Sequence, residues 1–176
     1  MIELDVFVSC GAEVADLRDI AARALAGLER AFLRGLDAPL VIRYWDYRDE
    51  PPAVVAHGEF SAQSLRMVDS ASAVIGILGA TVPTVTSQEL LRAIERYASG
   101  QADNVWLFLA SATKGDVHRN FLRKVQRKTK MTVLYQEFDG QVDFQEKLFV
   151  ALIPYMVRKA ILDRQTLIPA ASGGVV

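Results

Sequence analysis

The sequence predicts a doubly wound α/β domain, a five-stranded parallel sheet with helices on both faces, and three observations predict it. Five short runs rich in Val, Ile and aromatic residues alternate with helical patterns, and the connections between them are short. Several of the runs are apolar on both faces, as a parallel strand covered above and below must be. A chain of 176 residues suits one such unit, large enough to bury a core without metals or disulfides.

The elements follow in order. "LDVFVSC" (4–10) is the first strand, and "EVADLRDIAARALAGLERAFLRGL" the first helix. In that helix Val14, Leu17, Ile20, Ala21, Ala24, Leu25, Leu28, Phe32 and Leu36 recur at spacings of three and four, which makes one apolar face. Gly35 and Pro39 mark its stop. "LVIRYW" (40–45) is the second strand, followed by a weaker helix over 60–70. "SAVIGILG" (72–79) is the third strand, and a helix from Ser87 to Ala98 ends at Gly100. "NVWLFLA" (104–110) is the fourth strand, with Trp106 and Phe108 as core residues, and a basic helix covers 117–128. "MTVLYQEF" (131–138) is the fifth strand. The last helix, "VDFQEKLFVALIPYMVRKAIL", is apolar on more than one face, and Pro154 should kink it. The domain then spans 1–165, and 166–176, small and flexible in composition, reads as a tail or as a linker to something further.

Composition narrows the function classes. The chain is 51% hydrophobic and 23% charged, with net charge -1 and a pI near 6.1, so nothing in it demands nucleic acid. No stretch reads as a signal peptide or a membrane span. The single cysteine, Cys10, cannot form an internal disulfide, and His57 and His118 stand too far apart for zinc spacing, so no metal is expected and the cytoplasm is the expected compartment. The basic run "KGDVHRNFLRKVQRKTK" reads as a solvated helix face, with a phosphate backbone or an acidic protein surface as its other possible partners. The last helix carries Leu148, Phe149, Leu152, Ile153, Tyr155, Met156 and Val157, more apolar surface than one buried face needs, which implies self-association, a partner protein or a second domain.

Ligands of open α/β sheets bind at the carboxyl ends of the strands, so the loops there are where chemistry belongs. They hold no G-x-x-x-x-G-K-[ST] loop, no G-x-G-x-x-G after a strand and no G-x-S-x-G elbow. Cys10 lacks the Arg of a phosphatase-type loop, because Asp16 stands six positions on, and it reads as structural or incidental. After the third strand comes "TVTSQELLRAI", where Thr86 with Glu89 three residues later fits a capping box. Glu89 also fits a second role, a carboxylate aimed at the ligand crevice.

"DVFVSC" before an Asp-bearing amphipathic helix, the acidic loop "DYRDEPP", "VDSASAVIGILG" and "SQELLRAI" together resemble a Toll/interleukin-1 receptor (TIR) domain over roughly residues 3–160, most of all its divergent bacterial branch. The resemblance implies a flavodoxin-like five-stranded parallel sheet. It also implies hydrolysis of the nicotinamide–ribose bond of NAD, with NAD as substrate and no further cofactor, by a bacterial defence or antiphage effector that acts on assembly. By the same resemblance Glu89 is the catalytic carboxylate, with Ser87 just before it. Ser9, Cys10 and Gly11 would line the floor, and Trp45, Asp46, Tyr47 and Arg48 would contact the nucleotide from the loop above. Pro51 and Pro52 replace the family's Pro-Gly, and Ser87 and Gln88 replace its Trp-Cys. Two alternatives stand beside this one: a catalytically silent TIR-like assembly module, and a nucleoside deoxyribosyltransferase-like enzyme with a nucleophilic carboxylate.

Overall fold

The computed structural model describes residues 2–35, 40–45, 57–111 and 116–167. Its sheet has five parallel strands in the order β2-β1-β3-β4-β5: β1 (Ile2–Cys10), β2 (Leu40–Trp45), β3 (Ala73–Leu78), β4 (Asn104–Ala110) and β5 (Gln136–Phe138). A 3-10 turn (Ala12–Val14) leads into α1 (Ala15–Gly35); α2 (His57–Ser70), α3 (Thr84–Ala98), α4 (Val117–Thr129) and α5 (Gly140–Leu167) follow the later strands. The fold class is therefore the flavodoxin-like α/β one that the sequence predicts.

The alternation of β1 turns one residue to each helix layer in turn. Leu4, Val6 and Val8 pack into a core shared with α1 and α5, together with Ile75, Ile77, Phe108, Phe144 and Leu148. Phe7 points the other way, into a core shared with α2, α3 and α4. Two layers of helices thus cover one sheet, and β3, in its middle, is buried at every residue.

Two expectations change. The helix after β3 begins one turn early, at Thr84, with Pro83 as its N-cap and no side-chain cap hydrogen bond. Its first turn is closed by the Ser87 amide, which donates to the Pro83 carbonyl at 2.8 Å. The fifth strand shrinks from 131–138 to Gln136–Phe138. Lys130, left-handed at φ 59°, turns the chain out of α4, and Val133 then packs on the α2/α3/α4 core while Leu134 is 85% exposed, so the segment is used for packing and not for pairing. The helix α5 continues past Pro154 to Leu167. Pro154 has no N–H to give the Val150 carbonyl, and both residues are exposed, where water can serve that carbonyl.

The order of the strands fixes the place of a site. The chain leaves β1 for β2 on one side and returns to β3 on the other, so the crevice between the carboxyl ends of β1 and β3 is the switch point.

Candidate functional site

Three elements bring polar groups to that crevice. Ser9, the penultimate residue of β1, is 1% exposed, and its Oγ donates to Glu89 Oε2 at 2.5 Å. The hydroxyl of Ser64, buried on α2, donates to the same carboxyl. Glu89 itself, in the second turn of α3, is only 6% exposed. Sequence spacing alone does not bring α3 so close to the sheet; Gly76 does. Gly76 is the register partner of Ser9 on β3, and a Cβ there would stand 2.5 Å from Leu90 Cδ2. With no side chain in the way, Leu90 seats directly on the strand and its neighbour Glu89 reaches the end of β1.

Electrostatics set the state of the carboxyl. Burial pushes the Glu89 pKa up from its ordinary value, while the Ser9 and Ser64 hydrogen bonds and the Arg18 charge hold it back. Arg18 lies on α1, 1% exposed, and its Nε donates to Cys10 Sγ at 3.1 Å. Successive residues of a strand point to opposite faces, so Ser9 serves Glu89 on one face while Cys10 serves Arg18 on the other. The end of β1 thereby carries a carboxyl on one side and a guanidinium cation on the other.

The rim is stitched by hydrogen bonds. Glu13, in the 3-10 turn, accepts from the Thr81 amide at 2.8 Å and from Thr81 Oγ1 at 3.0 Å, tying the loop after β1 to the loop after β3. Gly79 makes room for this, since a Cβ there would stand 2.7 Å from both Glu13 Oε1 and Val14 Cγ1. His118 Nε2 lies 2.7 Å from the Gly79 carbonyl, which can only accept, so that nitrogen carries the proton. Gly11 faces the same loop, with Pro83 Cγ 3.0 Å from where its Cβ would be.

The expected site residues therefore divide. Ser9 and Glu89 meet, Cys10 stands beside them on the opposite face, and Gly11 forms the rim. Ser87 turns away: its Oγ accepts from Lys124 Nζ at 3.3 Å and faces α4, because residues two apart on a helix point to nearly opposite sides. The capping box does not form, since Glu89 is too far along α3 to reach a free amide and spends its oxygens on two hydroxyls from other elements. Trp45 ends β2, in register with Phe7, and Asp46, Tyr47 and Arg48 lie outside the described residues. Arg18, Ser64, Glu13 and His118 are the site residues that sequence reading missed. Arg18 was the one with a signal, a charge set among the apolar positions Leu17, Ile20 and Ala21.

Among the described residues, no group of three or more His, Cys, Asp or Glu stands close enough to hold a metal ion, and no helix is long and apolar enough to cross a membrane.

Fold and site together define a flavodoxin-like α/β domain with a buried carboxyl at its switch point. No family model matches the sequence, and no curated protein matches it. Among solved structures, the chain is similar to S. aureus homoserine dehydrogenase at pH 6.0, with 12% identity and a TM-score of 0.44 over 79% of this chain and 34% of that one. The same enzyme at pH 7.0 gives 12% and 0.42 over 78% and 33%, and at pH 6.5 14% and 0.41 over 78% and 32%. The chain spans about a third of the length of that enzyme, and nothing about its chemistry is drawn from so distant a likeness.

Proposed function

We propose that this chain is a TIR-like NAD glycohydrolase of the divergent bacterial branch, a defence or stress effector that acts when it assembles, with Glu89 as its catalytic carboxylate. The observation that carries this reading is the placement of one buried carboxyl, held by Ser9 and Ser64, at the carboxyl ends of β1 and β3, where open parallel sheets take ligands.

The chemistry follows from that placement. As the bond from ribose C1′ to the nicotinamide nitrogen breaks, its electron pair leaves with neutral nicotinamide and positive charge gathers on the ribose. An ionised Glu89, buried from water, stabilises that cation far better than a solvated carboxylate would. Water then adds to C1′ and releases a proton, leaving ADP-ribose. Ser9 and Ser64 position the carboxylate, and their hydroxyls can turn to a ribose hydroxyl when substrate arrives. Arg18 favours the ionised form from the far side of β1.

A test compares NAD consumption by the concentrated protein with that of Glu89→Gln. Gln keeps the side-chain shape and an oxygen for Ser9 to donate to, so only the charge is lost. Hydrolysis by the parent and a loss of about a hundredfold or more in the folded variant are expected. Equal activity in both, or none in the parent across assembly conditions, would sink the proposal. The second reading, a catalytically silent assembly module, draws on the 6% exposure of Glu89 and on the apolar surface that α5 leaves open.

A further inference from the structure

The fourth helix carries a charge pattern that its own packing does not explain. Phe121 and Val125 of α4 are buried in the core beside α3, and away from them Asn120, Arg123, Lys124, Arg127 and Lys128 line one open groove of about 460 Å³. Their spacing of three and four puts all five on one helix face, and the four cations are exposed. Arg119 and Arg123, Arg123 and Arg127, and Lys124 and Lys128 each stand four residues apart, so like charges oppose the helix, and α4 holds no acid to offset them. Asp116 pairs with Arg119 at 3.0 Å, and Glu95 of α3 with Lys128 at 3.7 Å. Lys124 donates to the Ser87 hydroxyl, and Arg123 and Arg127 form no ion pair among the described residues. The helix dipole favours Arg127 and Lys128 in the last turn, but it gives nothing to Arg123 and Lys124 in the middle. A repulsion kept on one face of a chain whose net charge is -1 points to an anion from outside.

We propose that this groove binds the phosphate backbone of duplex DNA without reading its sequence. The lining chooses among anions. A protein partner needs an apolar centre to its interface, and a single strand needs aromatic faces on which its bases stack; the lining offers neither. A membrane surface calls for apolar side chains beside the charges, and the lining has none. What is left is a strand of phosphates met by donors. Two guanidinium forks pair bidentately with phosphate oxygens, two ammonium groups add point charges, and the Asn120 amide supplies a neutral donor. The row from Asn120 to Lys128 is about 12 Å long at 1.5 Å per residue, and a duplex with one charge per about 1.7 Å presents about seven along it. The groove includes no residue of the Ser9–Glu89 crevice, so the inference does not rest on the proposed activity.

Fluorescence anisotropy of a labelled duplex of about 20 base pairs, titrated with the full chain in the absence of NAD, tests it. A dissociation constant on the order of 10 µM at about 50 mM salt is expected, with a log–log salt slope of about -3.6 for four neutralised phosphates, so that affinity falls roughly a hundredfold by about 200 mM. Replacing both arginines, Arg123→Ala with Arg127→Ala, should halve that slope and weaken binding roughly tenfold or more at the lower salt. Because the change relieves repulsion, the thermal midpoint of this double variant should equal or exceed that of the parent, which separates lost contacts from a lost fold. Arg158→Ala, which removes an exposed cation of α5, should leave slope and affinity unchanged. No binding up to about 300 µM, a slope shallower than about -2, or a double variant that binds like the parent would overturn the proposal. A single strand of the same length, or poly-glutamate of equal charge, that binds as tightly as the duplex would overturn the choice of ligand. Nothing in these readings turns on Glu89, so the hydrolase reading stands or falls apart from them.

Discussion

Two buried charges ride on the same helix, Glu89 near the start of α3 and Arg96 near its end, and they are held in opposite ways. Arg96, 9% exposed, donates from Nη1 to the carbonyls of Val68 and Ala71 at 2.6 and 2.9 Å and from Nη2 to that of Gln101 at 2.9 Å. Asp69 stands 3.9 Å from its Nε. These are main-chain acceptors, fixed by the turns that lead into β3 and β4. Glu89 is held by two hydroxyls, from Ser9 and Ser64, which rotate freely and can serve another partner. A buried charge bound to fixed main chain is a fastener; a buried charge bound to movable hydroxyls is available for chemistry.

Breaking the fastener should have the largest effect. Arg96→Met removes the charged donor that the carbonyls of Val68, Ala71 and Gln101 share, and a loss of about 3 kcal/mol in urea unfolding is expected. A loss below about 1 kcal/mol would mean water replaces the guanidinium, and the contrast between the two ends of α3 would lose its basis. Next is Gly76→Val, which drives a side chain into Leu90 and lifts α3 from the sheet; a cost of about 2 kcal/mol is expected, together with loss of whatever activity depends on Glu89 meeting Ser9.

The third effect concerns pH. Because burial raises the folded-state pKa of Glu89 above its unfolded value, the native state holds the proton more tightly, and Glu89 costs no stability below the unfolded value of about 4.5. The cost grows as pH rises from there to the raised folded value and is constant above it. Plotted against pH, the stability of the parent relative to Glu89→Gln should fall across that window and then level off, a difference opposite in sign to that of a salt-bridged carboxylate. Any activity that needs the ionised carboxyl should switch on over the same window, and Ser9→Ala, by removing a hydrogen bond that favours ionisation, should move its acid limb to higher pH. The smallest effect is that of Lys124→Ala. Its partner Ser87 faces α4, away from Glu89, so a change under about 0.5 kcal/mol and no change in NAD consumption are expected.

What was legible in the sequence follows the same division between local and non-local causes. β3 and β4 are apolar on both faces because helices cover both faces, and composition carries that plainly. β5 was overread because the β-branched and aromatic residues of 131–135 serve packing and exposure there, and nothing local says whether an edge segment will pair. Thr86 and Glu89 had the spacing of a cap, yet Pro83, a residue suited to a helix start, set the beginning of α3 one turn earlier. Glu89 itself stood out by its position after β3. Its partners did not: Ser64 and Arg18 come from helices on opposite faces of the sheet, and only the closed fold brings them together.

Gly76 has a consequence beyond this one chain. Because the missing side chain is what lets Leu90 and Glu89 approach the end of β1, the strand-end serine, the mid-strand glycine of β3 and the helix glutamate depend on one another. A distant sequence that keeps the glutamate but places a bulky residue at the glycine cannot have built the same pocket.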